Sequence, residues 1–185
     1  CGTMTQPYID CAIELAQSGV TANDIAGIVC EVGEGTVHRL WAPLPSKQSP
    51  PNGYAGKFSS PYCIAVGFLD GRAGLGQFTD ARVMDPRVRA LAAKVSYVVD
   101  PDNPYPRAFT GHIRVTMKDG SVNEIRRANM RGGAHDPISA AAIVDKLRDN
   151  ARYGGWDDAR TDRLIAAVDG VMKGGAVDLT GARGA

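Results

Sequence analysis

The stretch Ser59-Ser-Pro-Tyr-Cys-Ile-Ala-Val-Gly-Phe-Leu-Asp-Gly71 is predicted to form the central helix of the fold. It has the pattern of one helix with a marked beginning and end. Ser60 is a favourable N-cap residue, and Pro61 then falls at the first helical position, where its missing N–H costs nothing. Gly71 suits the left-handed conformation that often ends a helix. No residue from position 63 to 69 is polar, so this helix is predicted to be surrounded by protein.

The first turn of this helix is polar, unlike the rest of it. Lys57, Ser59, Ser60 and Tyr62 cluster where the free backbone amides and the positive end of the helix dipole point outward. An ammonium, two hydroxyls and a phenol at such an end predict a seat for an anionic substrate. The alternative is that Tyr62 is a core tyrosine and that the serines only cap the helix. Spacing alone leaves both interpretations open.

The amino-acid composition limits the classes of protein to which this chain can belong. The chain has 185 residues, of which 44% are hydrophobic, and this fits one domain with an appended helix. A formal net charge of +1 gives no field for nucleic acid or for an acidic membrane, and no stretch resembles a transmembrane span or a signal peptide. The four cysteines form no C-x-x-C pair, and three lie in apolar segments. This usage is typical of buried thiols in a reducing cytosol, so we expect a cytoplasmic protein without disulfides or zinc.

The order of predicted elements indicates an α+β two-layer sandwich with a mainly antiparallel four-stranded sheet and helices packed on it. Asp119-Gly120 is a two-residue hairpin turn between the last two strands. In the last strand Val122 and Ile125 are three apart, which predicts a bulge near residues 123–124. Helices are predicted at 5–18, 60–70, 85–95, 136–151 and 158–172, and strands at 25–33, 95–100, 112–118 and 122–128.

Three further expectations concern the segments between and after these elements. Prolines and glycines at 40–56 predict a long ordered loop without regular structure. An α+β domain is predicted at 1–156, followed at 157–185 by a C-terminal helix and a tail that frays from Gly174 onward. The last two helices are predicted to turn one apolar face inward, consisting of Ile143, Val144, Leu147, Ala151, Leu164, Val168 and Met172.

Polar residues outside the first turn of the central helix show weaker patterns. The three histidines lie far apart in sequence and have no ligand at i+3 or i+4, so no metal site is predicted. His112 is expected to be an exposed strand residue beside the solvated arginines of the hairpin. Arg131-Gly-Gly fits neither a dinucleotide motif nor a P-loop and is read as a turn. None of these residues alone indicates an enzyme.

Five short motifs, in order, resemble the MmgE/PrpD family, which contains 2-methylcitrate dehydratase, cis-aconitate decarboxylase and iminodisuccinate epimerase. The resemblance covers about residues 1–150. The motifs are Cys1 with Pro7-Tyr-Ile-Asp-Cys-Ala12, then Lys57-Phe-Ser-Ser-Pro-Tyr62 with its apolar helix, Asp85-Pro-Arg-Val88 with Leu91 and Lys94-Val95, Lys118-Asp-Gly120, and Gly133-Ala-His-Asp-Pro-Ile-Ser139.

The resemblance implies that this region is the family's smaller C-terminal lid domain, an α+β sandwich. It implies a site between this domain and a helical N-terminal domain, with acid–base residues from both and with neither metal nor cofactor. The implied substrate is a small di- or tricarboxylate. Tyr62 matches the family tyrosine and is the candidate catalytic hydroxyl, while Lys57, Ser59, Ser60 and Gln6 are candidate substrate-binding residues.

One departure from the family pattern affects the expected chemistry. Gln6 stands where relatives commonly have a histidine, and an amide can hold a carboxylate but cannot shuttle a proton. Dehydration, decarboxylation and isomerisation therefore all stay open.

Features of the chain ends lead to the expectation of a larger protein. The first residue is Cys1, not Met, and a helix follows at once, so we expect a piece of a longer protein that is inactive by itself. Apolar surface left by the absent domain is expected to be exposed or buried by self-association, and the whole protein is expected to be a homodimer. The rival interpretation is a non-catalytic α+β module that binds a ligand or a partner chain.

Overall fold

The computed structural model describes residues 1–176 and 178–180, and the chain divides into two compact units, Cys1–Pro137 and Ile138–Ala185. The strands are β1 (Ile25–Val32), β2 (Val95–Val99), β3 (Gly111–Met117) and β4 (Val122–Arg127). The helices are α1 (Gln6–Gln17), α2 (Glu34–Leu40), α3 (Leu44–Gln48), α4 (Gly53–Gly56), α5 (Ser60–Asp70), α6 (Asp80–Val83), α7 (Pro86–Ala92), α8 (Ala140–Tyr153) and α9 (Asp158–Met172). None of the helices in this described part is long and apolar enough to cross a membrane.

The first unit confirms the predicted α+β class. Its four-stranded sheet has the order β2-β1-β3-β4, in which β1 pairs parallel with β2 while the other two pairings are antiparallel. Because β1 lies between β2 and β3, it is an inner strand, which fits the apolar residues on both of its sides. Alternate residues of β1 and β3, among them Ile28, Cys30, Ile113 and Val115, are fully buried in the core on one face of the sheet.

Helix α5 is enclosed by protein, as its lack of polar residues predicted. Every residue from Ser60 to Phe68 is buried, and the helix packs mainly on α1 and α7. Gly71 ends it with φ 63°, in the left-handed conformation that the sequence indicated. The crossing with α1 is close at Gly67, where an added Cβ would lie 3.0 Å from Cβ of Ala12. The helix is therefore a central element of the hydrophobic core.

The proline-rich segment at 40–56 is ordered, as expected, but the prediction that it lacks regular structure is wrong. It contains the short helices α3 and α4, and it follows α2 directly. Pro45 is accommodated in the first turn of α3, where a proline needs no hydrogen bond. Trp41 at its start is fully buried and packs edge-on against Tyr8 at a ring-centroid distance of 5.2 Å. This aromatic contact anchors the segment to the core.

The hairpin β3–β4 is confirmed, but two of its predicted details are wrong. Four residues, 118–121, separate the strands, with Gly120 at φ 85° in the turn. The register from Thr116–Val122 to Gly111–Arg127 is continuous, so β4 has no bulge. Val122 breaks the apolar alternation because it is the exposed first residue of an edge strand. The register shift lies instead in β1, between Ile25 and Gly27.

The second unit consists of α8 and α9. Helix α9 has its predicted bounds, but α8 begins at Ala140, because the hydroxyl of Ser139 caps it by accepting from the amide of Ala142 at 3.2 Å. The predicted inward faces of these helices are not buried: Ile143 is 58% exposed, Val168 50% and Met172 82%. Thr161 is the one buried residue of these two helices. Two helices alone bury little apolar area, which explains the difference from the prediction.

The predicted boundary between 156 and 157 stays a prediction. Of the predicted tail, Val177 and residues 181–185 lie outside the described residues.

Candidate active site at the start of the buried helix

The cap of α5 is one residue earlier than predicted. Ser59, not Ser60, is the N-cap, since its Oγ accepts from the amide of Tyr62 at 3.0 Å. The Ser59 hydroxyl also donates to the main-chain carbonyl of Lys47. Pro61 consequently lies at the second helical position, which tolerates proline equally well. Ser59 is thus fully used in closing the helix and in joining it to α3.

Ser60 is left with an unused hydroxyl at the positive end of a helix. Its side chain is fully buried, and its Oγ has no hydrogen-bond partner among the described residues. A buried hydroxyl without a partner costs about 1–3 kcal/mol, so most buried hydroxyls have one. An anionic group placed at this helix end would satisfy the hydroxyl and would interact favourably with the helix dipole.

Tyr62 lies in the first turn of α5, as predicted. Its ring is fully buried, and its hydroxyl donates to the main-chain carbonyl of Gln77. Burial raises the pKa of this phenol to about 12, with the nearby Arg82 acting in the opposite direction. The phenol therefore carries its proton at neutral pH. It can donate a proton or a hydrogen bond, and it is a poor base.

A polar network that the sequence did not predict lies next to the Tyr62 hydroxyl. Nε2 of Gln77 donates to Asp70 at 3.1 Å, and Arg82 makes a bidentate contact with the same carboxylate. Arg82 also pairs with Asp85, the N-cap of α7. The pairs join the end of α5 to α6 and α7 and hold the Gln77 carbonyl beside Tyr62. Only the i,i+3 spacing of Arg82 and Asp85 was visible in the sequence.

Two lysines lie near this helix start in different environments. Nζ of Lys47 donates to the carbonyls of Arg39 and Phe58 at 2.5 and 2.8 Å, and desolvation lowers the pKa of this ammonium. Lys57 is partly exposed, and its Nζ lies 6.0 Å from the ring centroid of Tyr54. Of the two, Lys57 is the one that keeps an ammonium available to solvent, and Lys47 has a structural role.

Gln6 has different contacts from the other predicted site residues. It begins α1, and its Nε2 donates to the main-chain carbonyl of Arg131 at 2.8 Å. Arg131 in turn pairs with Asp10 on α1 at 3.2 and 3.3 Å. The structure thus brings Lys57, Ser59, Ser60 and Tyr62 together on or before one turn of helix, and it places Gln6 beside the glycine-rich loop.

The arrangement of possible metal ligands offers no metal site in the described part of the chain. Within residues 1–176 and 178–180, no group of three or more His, Cys, Asp or Glu side chains is arranged so that it could hold a metal ion. The four cysteines lie within the described residues, where none forms a disulfide; Cys1 is exposed, and Cys11, Cys30 and Cys63 are buried.

Comparisons with known proteins agree with the motifs. The model of the MmgE/PrpD C-terminal domain matches residues 1–169. A mitochondrial 2-methylcitrate dehydratase of Yarrowia lipolytica is 26% identical over 83% of this chain and 30% of its own length. The cis-aconitate decarboxylase of Homo sapiens and the 2-methylcitrate dehydratase of Cupriavidus necator are each 30% identical over 58% of this chain and 23% of their own lengths.

The matches cover a larger share of this chain than of each relative. The chain spans less than a third of the length of each of these relatives. The family model, in contrast, covers most of the chain, including all of α1 to α8 and the whole sheet. The chain therefore belongs to the MmgE/PrpD family, whose C-terminal domain it contains.

Proposed function

We propose that this chain is the C-terminal domain of a cofactor-independent lyase or isomerase that acts on a small di- or tricarboxylate. The observation that carries the proposal is the start of α5, where the buried Ser60 hydroxyl lacks a partner among the described residues at the positive end of the helix. A carboxylate is the substrate group that such an end favours. The names of the relatives, a dehydratase and a decarboxylase of carboxylate substrates, support the same class.

In this proposal Tyr62 is the catalytic group contributed by this domain. Chemistry beside a carboxylate needs a base to remove a proton from carbon and an acid to protonate the leaving group or the carbon. Because burial raises the pKa of Tyr62 to about 12, its phenol is suited to the role of acid or hydrogen-bond donor. Its proton is directed at the Gln77 carbonyl, so substrate would have to compete with that carbonyl for it. The base would come from outside the described residues.

The remaining candidates have binding roles in the proposal. Lys57 supplies a positive charge near the helix entrance, and Ser59 fixes the geometry of the first turn through its cap. Gln6 can hold a substrate carboxylate through its amide, at the cost of its present bond to the Arg131 carbonyl. Both Gln6 and Tyr62 must face the same substrate for this assignment to hold.

The proposal includes partners and a location. A helical N-terminal domain of the same protein would dock on this one, and the whole protein would be a homodimer. Exposed apolar side chains around α4 and α6 support a docking role, since Tyr54 is 71% exposed and Met84 follows α6 on the surface. Four cysteines that form no disulfide within the described residues support a reducing compartment, and we propose the cytoplasm.

The experiment is a comparison of the full-length gene product with the 185-residue chain on a panel of carboxylates that includes 2-methylcitrate and cis-aconitate. The proposal predicts turnover by the full-length protein and none by the shorter chain, because half of the site would be missing. Turnover by the 185-residue chain alone would contradict the two-domain site. If the full-length protein only bound a ligand or a partner chain, the non-catalytic alternative would replace the proposal.

A further inference from the structure

His112 lies in the middle of a row of charges that crosses three strands. Its side chain is on β3 and is only 6% exposed, although the sequence predicted an exposed residue. Nδ1 lies 2.7 Å from Oε2 of Glu31 on β1, and Nε2 lies 2.6 Å from Oε1 of Glu124 on β4. Each ring nitrogen therefore faces a carboxylate from a different neighbouring strand. Alternation along β3 could not predict this position between two carboxylates.

The distances identify the protonation state that fits the cluster. A neutral imidazole has one N–H and one lone pair, whereas an imidazolium has two N–H groups. At 2.6–2.7 Å a ring lone pair would face a carboxylate oxygen with no proton between them. The approach of Nδ1 to Glu31 is not aligned as a hydrogen bond, so it is an ion-pair contact, which is attractive only when the ring is positively charged. The geometry fits the imidazolium.

Two arginines complete the row and hold the carboxylates in place. Nη2 of Arg126 on β4 lies 2.9 Å from Oε2 of Glu31, and Nε of Arg114 on β3 lies 3.0 Å from Oε2 of Glu124. The bond from Arg114, followed by the one from His112, lowers the pKa of Glu124 to about 2. Glu124 therefore stays ionised throughout the range of about pH 5–8 in which histidines titrate.

We propose that His112 is a pH-sensitive clamp, which ties the edge strand β4 and the inner strand β1 to β3 when its ring is protonated on both nitrogens. Loss of a proton removes the positive charge of the ring, which weakens both the ion pair with Glu31 and the charge-assisted bond to Glu124. Strand β4 pairs only with β3 in the sheet of the described residues, so it is the strand that loosens. The clamp lies on the polar face of the sheet and does not depend on the proposed carboxylate chemistry.

The direction of the effect follows from the charge change. The clamp contributes to stability while the ring is an imidazolium, and this contribution is lost as pH rises through the histidine range. One charge-assisted hydrogen bond corresponds to about a tenfold change in an equilibrium constant. We therefore expect local opening of β4 to become about tenfold more frequent between about pH 5.5 and 8.5.

The first test is ¹⁵N NMR of the imidazole rings in the wild-type 185-residue chain, which has three histidines. At about pH 6 His112 is expected to show two protonated nitrogens, with the Nε2 proton bonded to Glu124. A neutral ring with one bare nitrogen at that pH would overturn the proposal. This measurement needs no variant, so it does not depend on whether a substitution folds.

The second test measures hydrogen exchange of the backbone amides of β4. The rates are expressed as protection factors, because these correct for the intrinsic pH dependence of exchange. Wild type should lose about tenfold in protection between about pH 5.5 and 8.5. His112→Gln should lose this pH dependence, whereas His38→Gln, at an exposed histidine of α2, should keep it. Equal pH dependence in wild type and His112→Gln would contradict the clamp.

Discussion

Replacing Gly67 by alanine tests the packing of α5 on α1. An added Cβ would lie 3.0 Å from Cβ of Ala12 and 3.2 Å from the main-chain oxygen of Ile9. Carbon atoms in good contact are about 3.5–4.0 Å apart, so the methyl group is too close by about 0.5–1 Å. One of the two neighbours is helix backbone, which cannot move without shifting α1.

The magnitude combines two opposed contributions. Overpacking a core costs about 1–3 kcal/mol, while alanine gains about 0.5–1 kcal/mol over glycine inside a helix. We therefore expect Gly67→Ala to lower the free energy of unfolding by up to about 2 kcal/mol. Gly76→Ala is the matched control, because nothing lies within 4 Å of its added Cβ and its unit is the same. That control should be neutral or stabilising by up to about 1 kcal/mol.

The assay is urea unfolding followed by far-ultraviolet circular dichroism for wild type and both variants. A double variant, Ala12→Gly with Gly67→Ala, should recover part of the loss, since it removes the methyl group that clashes. If Gly67→Ala were as stable as the Gly76→Ala control, the close crossing of the two helices would be refuted. The same conclusion would follow if the double variant showed no coupling.

Two other predictions concern the cap at the start of α5 and the accessibility of the cysteine thiols to a reagent. Ser59→Ala should lower the free energy of unfolding by about 1–2 kcal/mol in urea titrations, because it removes the cap of α5 and the bond to the Lys47 carbonyl. An unchanged midpoint of the urea transition would mean that Ser60, not Ser59, is the N-cap. At about pH 8.5 a thiol reagent should label Cys1 rapidly and the other three cysteines only after denaturation, since burial raises the pKa of Cys63 to about 12 and keeps it protonated. Labelling of all four cysteines at equal rates in the folded chain would contradict the described core.

Elements specified by neighbouring residues could be predicted from the sequence. The buried helix, its end at Gly71 and the start of the helix predicted at 85–95 each depend on residues within a few positions of each other. The hairpin at Asp119-Gly120 is local in the same way. In these places the chain has one favourable local conformation, and the tertiary structure preserves it.

Features specified by distant residues could not be predicted. Two adjacent serines offer equivalent caps for α5, and the carbonyl of Lys47, twelve residues before Ser59, favours Ser59. His112 contacts carboxylates on two other strands, one of them more than eighty positions away in sequence. Gln6 meets Arg131 at a separation of 125 residues. The spacing of apolar and polar residues along the sequence does not indicate such contacts.

The candidate site shows the same division between local and distant information. The four residues at the start of α5 were found because they are adjacent in sequence. Gln77 and Arg82, which lie near the Tyr62 hydroxyl, come from a 3-10 turn and from the short helix α6, neither of which has a strong sequence pattern. A carbonyl acceptor for a tyrosine has no sequence signature at all, since every residue has a carbonyl.

The most direct test of the account is turnover of 2-methylcitrate or cis-aconitate by the full-length protein carrying Tyr62→Phe. Tyr8→Phe is the matched control, because Tyr8 is also a buried tyrosine whose hydroxyl donates to a main-chain carbonyl, that of Glu31, at 2.8 Å. Each change removes one hydroxyl bond, so both should lower stability by a similar amount, about 1 kcal/mol. The account predicts that Tyr62→Phe alone lowers kcat, by about 10²–10⁴-fold. Equal melting temperatures and equal kcat in the two variants would make Tyr62 a core residue and would contradict the proposed site.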